Sequence, residues 1–164
     1  MRRGVLTKLI EVSKMLRRMV IGKVLVPVSG DCVDGEVIRL ACGFAQKSGA
    51  SVYAVYVIEV ERSLPLDASL EQKMADAEEI VSRAQELALE YGYPIETGLL
   101  QAREAGPAII HEAVEGHADL IVMGVGYRRR LGVFDMGDTT SHVLREARCH
   151  VVLYRAAAAP EDIE

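Results

Sequence analysis

The sequence predicts an α/β fold: a five-stranded parallel sheet with helices on both faces and one further helix ahead of it. Three observations carry this. Short β-branched runs alternate with stretches whose apolar residues recur every three or four positions, as a parallel sheet covered on both faces requires. Turn-forming residues follow the first and fourth runs: Ser29-Gly30-Asp31 after one, Gly124-Val125-Gly126 after the other. Finally, Asp119 to Arg155 reads as strand, glycine-rich loop, helix and strand, the unit that turns backbone N–H groups toward an anion at a helix N-terminus.

The elements follow in order. In residues 1–22, Val5, Leu9, Val12, Leu16 and Met19 form one apolar stripe among basic residues, an amphipathic helix. Such a helix packs on its own domain or a partner, lies on a membrane surface, or is a mobile tail. Residues 23–155 make the main domain and 156–164 a tail. Lys23 to Val28 is a buried strand. Asp34 then stands where an N-cap belongs, before a helical face of Val37, Leu40, Ala41, Phe44 and Ala45 that Gly49 stops. Ser51 to Val60 is a strongly β-prone second strand, followed by a polar loop to Ser69. Leu70, Met74, Ala77, Val81, Ala84, Ala88 and Tyr91 keep one helical face until Gly92 ends it. Ile95 to Leu100 is a weaker third strand. Gly106-Pro107 opens a short helix that runs through Val114 to Gly116, with proline well placed in a first turn. Its His111 reads as structural or solvent-facing. Leu120 to Met123 and Val151 to Tyr154 are the fourth and fifth strands, joined by the basic loop Arg128 to Arg130 and a helix after Gly137.

Composition bounds the function. A chain of 164 residues, half of them hydrophobic, suits one domain with a substantial core. No apolar run approaches the length of a membrane span, and no secretory leader is apparent. Cys32, Cys42 and Cys149 are too few and too scattered for a disulfide framework or a zinc site, so a cytoplasmic protein is expected. Residues 1–23 carry a net +6, and the whole chain −5, which leaves −11 on residues 24–164. A body so acidic repels a phosphate backbone, which argues against nucleic acid as a partner.

In an open parallel sheet, ligands sit beyond the carboxyl ends of the strands where the winding reverses. In the order 3-2-1-4-5, the loop after the first strand faces the loop after the fourth. A nucleotide there would set its base near Val28 and Val57 and its phosphates near Gly124 and Gly137. Pro27, Ser29, Met123, Gly126, Arg128, Asp138 and Thr139 are the further candidate binding residues. No catalytic constellation and no metal site stands out.

The string PVSGD after the first strand, the VYVIEV strand, the GHADLIVMG approach and the glycine loop with its helix together resemble the universal stress protein family. The resemblance spans roughly Lys23 to Arg155, in order and spacing. It implies an adenine nucleotide alpha hydrolase-like sheet, a role in stress resistance, and a homodimer joined through the last strand, Val151 to Tyr154. It also implies, for some members, ATP or AMP held by Gly-x2-Gly-x9-Gly-Ser/Thr. Gly124 and Gly137 match the first and third glycines. Tyr127 stands at the second, with Gly126 one residue earlier. Asp138 replaces the Ser/Thr, with Thr139 and Thr140 following, and Ser29 stands where an ATP binder carries a ribose-holding aspartate.

A serine hydroxyl donates to phosphate, whereas ionised Asp138 only accepts. Two like charges ~4 Å apart cost about 4 kcal/mol at an effective dielectric of about 20, or about three decades of affinity. Asp138 is expected instead to cap the following helix and complement its dipole. Arg128 to Arg130 would offset the repulsion only if folded inward, and are expected instead to form a solvated loop; an Mg²⁺ bridging Asp138 to phosphate would offset it too. The expectation is a universal-stress-type binding module, not an enzyme, with a degenerate ATP loop and no resident cofactor. An ATP- or AMP-binding member with a modified loop is the alternative. A second alternative is an enzyme, because Ser29-Gly30-Asp31 resembles the Ser-Gly-Gly-x-Asp-Ser loop of ATP pyrophosphatases without its second glycine and closing serine.

Overall fold

The computed structural model describes residues 20–67, 70–127, 129–130 and 133–158. The helix expected within residues 1–22 therefore lies, up to Met19, outside the described residues, as do Arg128 and the end of the tail. Strands β1 (Lys23–Pro27), β2 (Ser51–Glu59), β3 (Glu96–Ala102) and β4 (Leu120–Val125) alternate with helices α1 (Asp34–Ser48), α2 (Glu71–Glu90) and α3 (Ala105–Glu115). Two short strands, β5 (Arg129–Arg130) and β6 (Val133–Phe134), then precede α4 (Asp138–Glu146) and the last strand, β7 (His150–Arg155). The five long strands form one parallel sheet, ordered β3-β2-β1-β4-β7. This is the expected order, with β7 as the fifth member. The antiparallel β5–β6 pair lies within what the sequence presented as a basic loop.

Side chains alternate across the sheet, as the two-residue period of a strand requires. Val24, Val26, Val52, Ala54, Leu120 and Val122 point to one face, against Val37, Ile38 and Ala41 of α1 and Val81, Ala84 and Ala88 of α2. Leu25, Val55, Ile121 and Met123 point to the other, against Ile109 and Ala113 of α3 and Val143 of α4. Each fully buried aliphatic chain contributes about 1.5–3 kcal/mol. Continuous apolar runs such as LIVM are thus legible as strands covered on both sides.

Two helix readings need correction. The buried stripe of α1 is Val37, Ile38, Ala41, Cys42 and Ala45, while Phe44 is 37% exposed. The helix packs on the sheet and on α2 together, so its buried arc is shifted toward Ile38 and Cys42. Asp34 is the first helical residue and not the N-cap; Val33 holds that position with no side-chain cap. Gly49 ends α1 in the left-handed region at φ 71°, as glycine readily does.

The sheet opens at one point. β1 pairs with β2 along its full length, from Lys23 to Pro27, but with β4 only at Val24 and Leu25. Beyond Leu25 the chain stays with β2, the Val28 N–H donating to the Val55 carbonyl at 2.9 Å. The carboxyl ends of β1 and β4 therefore part, and a crevice forms where the winding reverses.

Candidate functional site

The crevice is a cleft of about 570 Å³. Pro27, Val28 and Ser29 enter it from the end of β1, and Val57 from β2. Met123, Gly124 and Gly126 enter from β4, and Gly137, Asp138 and Thr139 from the start of α4. The fold thus gathers every candidate residue named from sequence except Arg128, which lies outside the described residues. It also brings in Asp31 and Asp135 from the two loops named from sequence, and three residues that sequence reasoning missed: Glu59, Lys73 and Asp76. Lys73 and Asp76 share a face of α2 three residues apart, in its first two turns. Helical spacing, applied to polar residues as well as apolar ones, would have found them.

The three glycines differ in what requires them. A Cβ on Gly124 would meet Val37 Cγ2 at 2.5 Å and Val33 Cγ2 at 3.1 Å, so this glycine lets β4 lie close against α1. Gly126 faces nothing within 4 Å. Gly137 also has open space and takes φ 77°, where glycine alone is unstrained. Gly124 is therefore needed for packing, and Gly137 for the turn into α4. Tyr127 has its own role: its ring stacks on Phe134 at 5.8 Å, with the Arg155 guanidinium 5.1 Å from one ring and 5.3 Å from the other. This cation–aromatic packing fastens the loop to the end of β7.

The polar geometry is set by carboxylates. The Ser29 and Gly30 amides donate to Asp34 at 3.1 and 2.7 Å, which holds the β1–α1 turn closed. Burial raises the Asp34 pKa above the ordinary aspartate value, against these hydrogen bonds, and Asp31 adds to the rise. The Ala105 amide, at the start of α3, donates to Glu59 Oε1 at 2.8 Å. The Gly137 amide donates to Asp135 Oδ1 at 3.0 Å. Asp138, expected to cap α4, is instead its exposed first residue; Gly137 is the N-cap and no side chain caps it. Lys73 donates to the Glu59 carbonyl at 3.0 Å and is the only cationic side chain lining the cleft among the described residues.

The family model for the universal stress protein family matches residues 21–155. The chain belongs to the universal stress protein family. A universal stress protein of Methanocaldococcus jannaschii is 30% identical over 139 residues, covering 81% of each chain. Among solved structures, a universal stress protein from Archaeoglobus fulgidus in complex with dAMP has a TM-score of 0.67 at 22% identity, covering 82% of this chain and 98% of that one. Another, in complex with cAMP, has a TM-score of 0.62 at 19% identity, covering 82% and 97%. At such identities these two show the universal stress protein fold. Among the described residues, no cluster of histidine, cysteine and acidic side chains could hold a metal ion, and no helix is long and apolar enough to cross a membrane.

Proposed function

We propose that this universal stress protein is a cytoplasmic regulatory binding module, without catalytic turnover, whose cleft takes an adenine nucleoside or nucleotide and holds ATP weakly. The observation that carries this is Asp138: a carboxylate stands at the cleft end of α4, the helix terminus that the glycine loop presents. An apolar wall of Val28, Val57 and Met123 suits a base, and the dAMP and cAMP complexes of fold relatives support an adenine ligand. Ser29 offers a hydroxyl, which hydrogen-bonds a ribose less strongly than a carboxylate does. A modified-loop ATP binder is the second reading, favoured by Lys73 at the cleft wall. Calorimetry of the full chain with adenosine, AMP and ATP, alongside an ATP turnover assay, tests the proposal. One saturable site for adenosine or AMP, weaker binding of ATP and no turnover are expected. Absence of all binding, ATP as the tightest ligand, or release of phosphate or pyrophosphate would contradict it.

A further inference from the structure

Away from the cleft, the sheet is left open along its β3 edge. β3 holds no buried residue, whereas β1, β2 and β4 each hold several. On the side that carries α3, Tyr53 and Val57 of β2 and Leu100 of β3 are only half-buried against the core. A Cβ on Gly98 would collide with the Tyr53 hydroxyl, so this ring lies flat over the edge strand and floors an apolar strip beside α3. Acidic groups flank it. Burial raises the Tyr53 pKa, and the charges of Glu112 on α3 and Glu96 on β3 raise it further, so both carboxylates lie near the ring. Among the described residues neither carboxylate has a salt-bridge partner.

The N-terminal segment joins the sheet beside this strip. The Ser51 amide donates to the Gly22 carbonyl at 2.9 Å, which sets the start of β1 against the start of β2. From there the Lys23 ammonium reaches to 5.7 Å from the Tyr53 ring centroid. We propose that residues 1–19 dock on the strip as a helix, with Leu9, Val12 and Leu16 against Tyr53, Val57 and Leu100, and basic side chains toward Glu96 and Glu112. Length, charge and tethering select this occupant. A helix over residues 1–19 is about 28 Å long, close to the roughly 30 Å spanned by the nine residues of β2. The segment carries Arg2, Arg3, Lys8, Lys14, Arg17 and Arg18 against Glu11 alone, so an acidic strip attracts it. Attached a few residues away, it meets the strip at an effective concentration of roughly millimolar, and modest contacts suffice to hold it. The inference is independent of what the cleft binds.

Nuclear Overhauser contacts in the full-length protein test this without any variant. The methyl groups of Leu9, Val12 and Leu16 should contact the Tyr53 ring and the Leu100 methyls, and a mixture of labelled and unlabelled protein should show no such contact between chains. Contacts found only between chains would make a second copy the occupant and overturn the proposal. So would residues 1–19 that touch neither strand, or that become helical only when phosphatidylglycerol vesicles are added. Amide exchange supplies the second measurement. Leu9→Asp and Glu112→Lys, on the two sides of the contact, should each speed exchange in residues 1–19 by about tenfold or more. Glu78→Lys, an exposed change on α2 behind the sheet, should not. Slow exchange retained in β1 and β4 shows that each variant is folded, and folded variants with unchanged exchange in residues 1–19 would contradict the docking.

Discussion

Asp138 is the residue proposed to set what the turn into α4 binds. Replacing it with serine removes a negative charge and supplies a hydroxyl donor at the start of α4. Asp138→Ser is expected to raise ATP affinity, and Ser29→Asp to add to it through the ribose. The two share a pocket, so their effects need not sum. Calorimetry on the parent, both single variants and the pair checks this; weaker ATP binding in Asp138→Ser would favour a metal-bridging role for the aspartate. Asp34 makes a different prediction, about pH. Burial lifts its folded pKa above the unfolded value, so the folded state holds the proton more tightly. Its contribution to stability is then greatest below the ordinary aspartate pKa and declines as pH rises through the shifted one. Urea melts across the acid range should show that decline in the parent, and Asp34→Asn should lack it. The carboxyl carbon of Asp34 should titrate above the usual aspartate range.

At the scale of elements, helix α1 tests how far periodicity can be trusted. The spacing of Val37, Leu40, Ala41, Phe44 and Ala45 located the helix and three of its buried residues. It misjudged Phe44, because a helix that contacts both a sheet and a neighbouring helix buries an arc that no single stripe describes. Ile38 is fully buried, so Ile38→Ala should cost about 2–5 kcal/mol. Phe44→Ala should cost distinctly less despite the larger side chain, and equal losses in chemical denaturation would refute the packing described. The parallel sheet was legible because strand and helix patterns alternate strictly and the apolar runs are short, while its strand order rested on the family resemblance. The β5–β6 pair was not, since two-residue strands leave no period to detect. Its ties to β7 through Tyr127, Phe134 and Arg155 join residues far apart in sequence. Within the site, the loops announced themselves through glycine and turn residues, whereas Glu59, Lys73 and Asp76 reach the cleft only because β2 and α2 end and begin beside it.

For the whole molecule, two features are proposals that follow from the fold. The edge strand β7 keeps Val151, Val152, Leu153 and Tyr154 only half-buried, and an open apolar edge of this kind is ordinarily covered or paired. A homodimer through β7 is therefore expected, and sedimentation at tens of micromolar, roughly the range in which specific subunits associate, should show it. A monomer throughout that range would count against pairing at this edge. The acidic body, −11 over residues 24–164, and the carboxylates around the cleft both disfavour a polyphosphate ligand. That is the central claim, and mass analysis of small molecules released from the purified, denatured full-length protein tests it most directly. The proposed function predicts no ATP at a stoichiometric level, with any bound adenine compound recovered as the nucleoside or its monophosphate. One ATP per chain would contradict the account.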